Sequence, residues 1–118
     1  MEFEILFYKD ESGKSPVEEF ILKLGKNNRE LTAKTMQGID KLRNRAYHRE
    51  PLSKHLESEL WELRIKAGTD TLRIIYTFTK GQIIILLHIF IKKKNKTPTG
   101  ELEMARKRLR EIKIKEGN

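Results

Sequence analysis

The sequence contains no cysteine, only three prolines and one tryptophan among its 118 residues. Without cysteine the chain has no disulfide bonds, thiolate metal ligands or cysteine nucleophile, and this composition fits a reducing cytoplasm. The longest apolar run, residues 83–91, is interrupted by His88 and is far too short to span a bilayer. The N-terminus lacks the pattern of a signal peptide. We therefore expect a cytoplasmic protein that does not bind membranes.

Histidine is also scarce, with three residues in the whole chain. None of them has the spacing of paired metal ligands on a helix, so we expect neither a metal nor another cofactor. The length suits one domain, spanning residues 1–118, with a modest core.

Positive charge is abundant, with 25 Lys and Arg against 17 Asp and Glu and a net charge of +8. From Lys92 to the C-terminus, ten basic residues face four acidic ones. This concentration favours a polyanionic partner, with nucleic acid first, an acidic protein second and a membrane surface third. A solvated helix face is the ordinary alternative for such a run of charges.

The most informative stretch runs from Leu60 to Pro98. It contains three runs of strand length, rich in β-branched and aromatic residues, separated by short polar breaks with glycine. This pattern predicts a β-meander.

A tight turn at Gly68-Thr69 fixes the pairing of the first two strands of the meander. It sets Trp61 against Tyr76 on the apolar face, where both are expected to be core residues, and Arg64 against Arg73 on the other face. Like charges directly opposite destabilise a sheet, so two converging arginines suggest an anion between them. The alternative is two solvated arginines, each beside an acidic residue such as Glu62.

The other segments predict a first strand, three helices and a loop. Ser15 and Pro16 mark a helix start and Gly25 its end. The segments are a strand over Phe3–Tyr8, a helix from Ser15 to Gly25, a helix from Arg29 to Arg45, a loop over residues 47–56 and a helix that begins after Pro98. The predicted fold is therefore α+β, in the order β-α-α-β-β-β-α. We expect a small antiparallel sheet with two N-terminal helices on one face, a C-terminal helix, and a face available for a ligand.

Several short motifs occur together in one order along the chain. They are Lys54-His55-Leu56, Leu60-Trp61-Glu62-Leu63-Arg64, Leu72-Arg73-Ile74-Ile75-Tyr76, Leu87-His88-Ile89-Phe90, Lys92-Lys93, and Lys96-Thr97-Pro98 followed by Glu101 and Ala105. In this combination the sequence resembles toxins of the RelE/ParE superfamily, and more specifically their HigB-like branch.

The resemblance implies the toxin of a type II toxin–antitoxin system, acting as a ribosome-dependent mRNA endonuclease (mRNA interferase). Its implied reaction is metal-free: the ribose 2′-hydroxyl attacks the neighbouring phosphate, leaving a 2′,3′-cyclic phosphate and a free 5′-hydroxyl. Implied partners are mRNA, the ribosome with its 16S rRNA near the decoding site, and a HigA-like helix-turn-helix antitoxin. Operator DNA would be reached indirectly, through the antitoxin.

The resemblance also suggests roles for single residues. Arg73 holds the position of a phosphate-gripping arginine, and Arg64 and Lys54 would share the stabilising role. Lys54 and His88 are the candidates for proton transfer, although His88 also suits a hydrogen-bonded place in the core. No tyrosine follows Tyr76, so the acid and base stay open. The lysines expected to bind the RNA backbone are Lys92, Lys93, Lys94 and Lys96.

Two other functions fit a basic domain of this kind. One is a ParE-like inhibitor that acts on DNA gyrase through protein contacts on the same scaffold. The other is a noncatalytic basic module that binds RNA and leaves its ends unchanged.

Overall fold

The computed structural model describes residues 2–93 and 97–116. The fold is α+β, and its order is consistent with the predicted RelE-like layout, with one further strand. The elements are β1 (Glu4–Phe7), α1 (Pro16–Asn27), α2 (Arg29–Lys41), a 3-10 turn (Arg45–Tyr47), β2 (Ser53–Glu57), β3 (Leu60–Ala67), β4 (Asp70–Thr79), β5 (Ile83–Ile91) and α3 (Thr99–Lys115).

Helix α1 begins where the sequence predicts. The Ser15 hydroxyl accepts a hydrogen bond from the Glu18 amide at 3.4 Å, and Pro16 occupies the first turn. The predicted end at Gly25 is wrong, because the helix continues to Asn27. It ends there because Asn28 begins the next helix.

Helix α2 is shorter than predicted. The Asn28 side chain caps its start by accepting from the Leu31 amide at 3.0 Å. The helix ends at Lys41, before the predicted Arg45. Arg45 belongs instead to a separate 3-10 turn, which begins where the Asn44 side chain accepts a hydrogen bond from the Ala46 amide at 2.9 Å.

The five strands form one sheet in the order β1-β5-β4-β3-β2. Strand β1 pairs with β5 in parallel, and the other neighbours are antiparallel. The prediction of a purely antiparallel sheet is therefore wrong at this edge. Strand β5 is apolar on both faces. Its backbone can also be buried, because β1 and β4 pair with it on either side and satisfy its hydrogen bonds.

The predicted loop over residues 47–56 is also wrong at its end, where Ser53–Glu57 forms strand β2 against β3. Its side chains do not alternate between apolar and polar types. Charged residues are common on edge strands because they discourage pairing with another chain. Lys54 lies on this strand, directly beside Glu62 of β3.

The predicted register of β3 and β4 is confirmed. Trp61 pairs with Tyr76 and Arg64 with Arg73. Gly68 supplies the turn with a backbone φ of +61°, a conformation that glycine adopts at low cost.

Each face of the sheet has its own apolar core. Helices α1 and α2 cover one face, with Leu31, Leu63 and Ile74 fully buried between them and the sheet. Helix α3 covers part of the opposite face, where Ala105 packs with Ile75. The prediction of a face left available for a ligand is therefore wrong for the part beneath α3. Among the described residues, no helix is both long and apolar enough to cross a membrane.

Candidate functional site

The end of the sheet that α3 leaves uncovered carries Arg64 and Arg73. These arginines pair near the β3–β4 turn, on the same face as α3. The first turn of α3 lies farther from that turn, where Glu101 contacts His88 of β5. The helix then runs away from the arginines, so their side chains face an opening instead of a packed helix.

The opening is a cleft with two lobes, which we call the cationic cleft. The larger lobe, of about 550 Å³, is lined by Arg64, Thr69, Asp70, Thr71, Arg73, Ile91, Lys92 and Lys93. The smaller lobe, of about 220 Å³, is lined by Lys54, His55, Leu56, Glu62, Arg64, Lys92 and Thr97. Arg64 and Lys92 line both lobes, so they lie where the lobes meet.

A buried carboxylate lies beneath the cations. The Glu62 side chain is 1% exposed, and its Oε1 is 3.4 Å from Arg73 Nε and 3.6 Å from Arg64 Nε. Its Oε2 accepts a hydrogen bond from the Thr97 hydroxyl at 2.8 Å. Arg64 also contacts the exposed Glu50 at 3.4 Å. The carboxylates of Glu62 and Glu50 therefore neutralise part of the positive charge of the cleft, and an excess of positive charge remains.

Burial and mutual repulsion change how these cations bind protons. Burial lowers the pKa of Arg73, an effect that Glu62 opposes and Arg64 reinforces. Burial also lowers the pKa of Lys92, and the positive charges of Arg73, Arg64 and Lys54 lower it further against the opposing effect of Glu62. The arginine stays charged at neutral pH, whereas the lysine gives up its proton more readily than a solvated one.

His88 is held beneath α3. Its Nε2 lies 2.5 Å from Glu101 Oε1, and its Nδ1 lies 3.3 Å from an Arg108 guanidinium nitrogen. Burial lowers the pKa of His88 despite the nearby Glu101 carboxylate, and Arg108 lowers it further. The neutral ring satisfies both contacts, because Nε2–H donates to Glu101 while Nδ1 accepts from Arg108.

Residues 19–110 match the model of a family described as phage-derived Gp49-like proteins (DUF891). The chain belongs to the Gp49-like family. The match spans most of α1, all of α2, the four strands that follow and most of α3, and so includes the whole cationic cleft. A comparison with curated proteins gave no match.

The Gp49-like fold brings together most of the residues singled out in the sequence. Arg73, Arg64, Lys54, Lys92 and Lys93 all line the cationic cleft. His88 does not line either lobe, since Glu101 and Arg108 occupy its ring nitrogens. Two of the predicted RNA-binding lysines, Lys94 and Lys96, lie outside the described residues. Whether any of these side chains acts in catalysis stays a prediction.

Sequence reasoning placed Glu62 on the same face as Arg64, as an acidic neighbour of the arginines, but it missed the burial of Glu62 and the contact with Thr97 in this Gp49-like site. Glu62 lies two residues from Arg64 on β3, so alternation alone puts it on the same face. Its burial could not be read from the sequence, because it depends on contacts with residues distant in the chain, such as Thr97. Thr97 belongs to the Lys96-Thr97-Pro98 motif, but nothing in the sequence indicated that its hydroxyl would bind Glu62. Among the described residues, no three His, Asp or Glu side chains are grouped as a metal site would require.

Proposed function

We propose that this Gp49-like protein is the toxin of a type II toxin–antitoxin system, a HigB-like endonuclease that cuts mRNA on the ribosome. The observation that carries the proposal is the convergence of Arg64, Arg73 and Lys92 on one open cleft, above a single buried carboxylate. Such a cluster suits a phosphodiester, and the phage-derived family adds a context in which toxins of this kind occur.

The proposed reaction is an attack of the ribose 2′-hydroxyl on the adjacent phosphorus atom. The bond to the 5′-oxygen of the next nucleotide breaks, and that oxygen takes up a proton as it leaves. Negative charge builds up on the phosphoryl oxygens in the transition state. Arg73 and Arg64 can bind those oxygens through their planar forks, and preorganised donors of this kind accelerate reactions most where charge develops.

Proton transfer is assigned to the lysines that line the smaller lobe. Lys54 is the candidate from the sequence, and its position beside Glu62 at the lobe wall supports that role. Lys92 joins it, because a lowered pKa makes a lysine a better base near neutral pH. His88 is the weaker candidate, since the cleft does not reach its ring.

The RNA partners follow from the charge and from this reaction, and the antitoxin follows from the resemblance to HigB-like toxins. Lys92 and Lys93 would bind the backbone of mRNA or of 16S rRNA near the decoding site, together with the neighbouring Lys94 and Lys96 of the sequence. A HigA-like helix-turn-helix antitoxin would silence the toxin and link it to operator DNA.

The test is induced expression in a bacterial host, with the 5′ ends of transcripts mapped by primer extension. We expect growth arrest with new cuts inside translated codons, and relief of both by Arg73→Ala. Arg43→Ala is the matched control, because it removes an exposed arginine paired with Asp40 at the end of α2. We expect that control to arrest growth as the wild type does.

Two outcomes would contradict the proposal in different ways. Arrest with intact transcripts and DNA-damage signalling would indicate a ParE-like gyrase inhibitor. RNA binding with steep salt dependence and unchanged RNA ends would indicate a noncatalytic binding module.

A further inference from the structure

The buried polar atoms of the cationic cleft show an unusual arrangement. Within residues 2–93 and 97–116, two buried side-chain polar atoms lack a hydrogen-bond partner, and they are the Nε atoms of Arg64 and Arg73. Both Nε atoms approach the same Glu62 oxygen, at 3.6 and 3.4 Å. These separations allow charge attraction but are long for hydrogen bonds. Glu62 therefore attracts both guanidinium groups without forming a short hydrogen bond to either Nε atom.

The cross-strand pairing explains why a carboxylate is needed at this point. Arg64 and Arg73 lie directly opposite each other, and like charges in such a pair destabilise a sheet. Glu62 is 1% exposed, and a buried charge is tolerated only when it is paired. Its second oxygen is held by the Thr97 hydroxyl, so the carboxylate has a fixed position between the two arginines.

The orientation of the two guanidinium groups follows from this contact. Their Nε edges face inward onto Glu62, and both arginines also line the larger lobe of the cleft. In a bidentate contact, two nitrogens of one guanidinium group donate to two phosphate oxygens, so the plane of the group must lie at a fixed angle to the phosphate. A buried carboxylate behind the fork can set that angle before the RNA arrives.

We infer that Glu62 is a positioning residue, which holds Arg64 and Arg73 in the orientation that grips the scissile phosphate. The inference rests on the proposed function, since it assigns a role within the same cleft. In this role Glu62 acts through the two arginines and takes no proton from the RNA. Thr97 supports it by fixing the other carboxylate oxygen.

The main variant is Glu62→Gln, which keeps the size of the side chain and removes its charge. Glu50→Gln is the matched control, because it removes a carboxylate that contacts Arg64 from the exposed side. Thr97→Val is a second test of the same role, since it keeps the charge of Glu62 and removes the hydroxyl that fixes the Glu62 carboxylate. Circular dichroism and thermal melting verify that each variant is folded.

The first readout is cleavage on ribosomes carrying a defined mRNA. We expect Glu62→Gln to lower kcat at least about tenfold, because the loss falls on transition-state binding. The affinity for an RNA with a 2′-deoxy nucleotide at the cleavage site should not fall, since the variant gains one net positive charge. Thr97→Val should lower kcat less, and Glu50→Gln should change it by less than about twofold.

The second readout does not depend on cleavage. Arginine Nε–Hε signals in nuclear magnetic resonance spectra report whether a guanidinium group is held in place and shielded from solvent. We expect wild-type signals from both Arg64 and Arg73 that exchange slowly with water. Both signals should shift and broaden in Glu62→Gln, whereas the Arg73 signal should be unchanged in Glu50→Gln.

The outcomes separate this inference from the proposed function. If the wild type cleaves and Glu62→Gln keeps both its kcat and its two arginine signals, Glu62 does not position the arginines. A parallel loss of kcat and RNA affinity with a lower melting temperature in Glu62→Gln would overturn the inference in favour of a merely structural role. If neither the wild type nor any variant cleaves but the arginine signals respond as expected, the nuclease proposal fails, and Glu62 still holds the two arginines in place.

Discussion

Arg64 and Arg73 lie opposite each other on antiparallel strands, and their Nε atoms converge on one oxygen of Glu62. Two like charges are thus held side by side on the open end of a sheet. Such an arrangement costs stability in the free protein, and this cost is offset when an anion binds between the two cations.

Replacing Arg73 by Lys should impair cleavage almost as much as replacing it by Ala. Lysine keeps the positive charge, but it cannot offer two parallel N–H groups to a phosphate. We expect a loss of about 10²–10³ in kcat, the range for one transition-state donor. Single-turnover cleavage of ribosome-bound mRNA measures the effect, and activity close to wild type would show that charge alone suffices.

The pH dependence of cleavage should depend on Lys92. Burial and the neighbouring cations lower the pKa of its ammonium group, so a neutral fraction forms at lower pH than for a solvated lysine. If Lys92 takes the proton, kcat/KM rises with pH and levels off once Lys92 is neutral. Arg64→Gln removes one of those cations and should move this rise to higher pH. Arg43→Gln should not, and an unmoved profile in Arg64→Gln would exclude Lys92 as the base.

Salt should weaken the binding of single-stranded RNA through the lysines of the cleft. Each phosphate contact contributes about −0.7 to the slope of log K against log salt concentration. Lys92→Ala should therefore make the slope shallower by about 0.7 when it is measured below the pH at which kcat/KM rises, where Lys92 still carries its proton. Lys23→Ala, at an exposed position of α1 on the opposite side of the sheet, should leave it unchanged. Equal slopes for wild type and Lys92→Ala would exclude this lysine as a phosphate contact.

His88 should make the fold less stable in acid. Its pKa is lowered from 6.5 by burial, so the unfolded chain takes up the proton more readily than the folded chain. The stability contributed by neutral His88 is thus fully present above the unfolded pKa and is lost as the pH falls below it.

Denaturant unfolding between about pH 7.5 and 5.5 measures this contribution. His88→Gln should flatten the dependence on pH, whereas His55→Gln, at an exposed position, should leave it unchanged. A wild-type free energy of unfolding that rises on acidification through this range would contradict the assignment.

Gly38 of α2 should not tolerate a larger residue. A Cβ atom at this position would collide with the Ile65 side chain of β3. Overpacking of a core costs about 1–3 kcal/mol, and the higher helix propensity of alanine offsets about 1 kcal/mol of this cost. Gly38→Ala should therefore lower the free energy of unfolding by at most about 2 kcal/mol. Gly100→Ala, in the first turn of α3, meets no atom within 4 Å and should not destabilise the fold. Equal melting temperatures for the two variants would contradict this close packing of α2 on β3.

Several features of the fold could be predicted because they depend on neighbouring residues. The cap at Ser15 and the turn at Gly68 are local, and alternation then fixes which β3 and β4 side chains share a face. The parallel position of β1 could not be predicted in this way, since it pairs with residues about eighty positions later in the chain. Strand β2 was missed because an edge strand with Lys54 and other polar residues carries no apolar pattern.

The sequence by itself determined the register that sets Arg64 against Arg73, because two-residue alternation and one glycine turn leave little freedom. Only the tertiary structure decided what surrounds that pair. It brought Lys92 beside the arginines, buried Glu62 under them and placed His88 beneath α3, away from the cleft. These contacts join separate elements, and they form only when helix and sheet pack their apolar faces together.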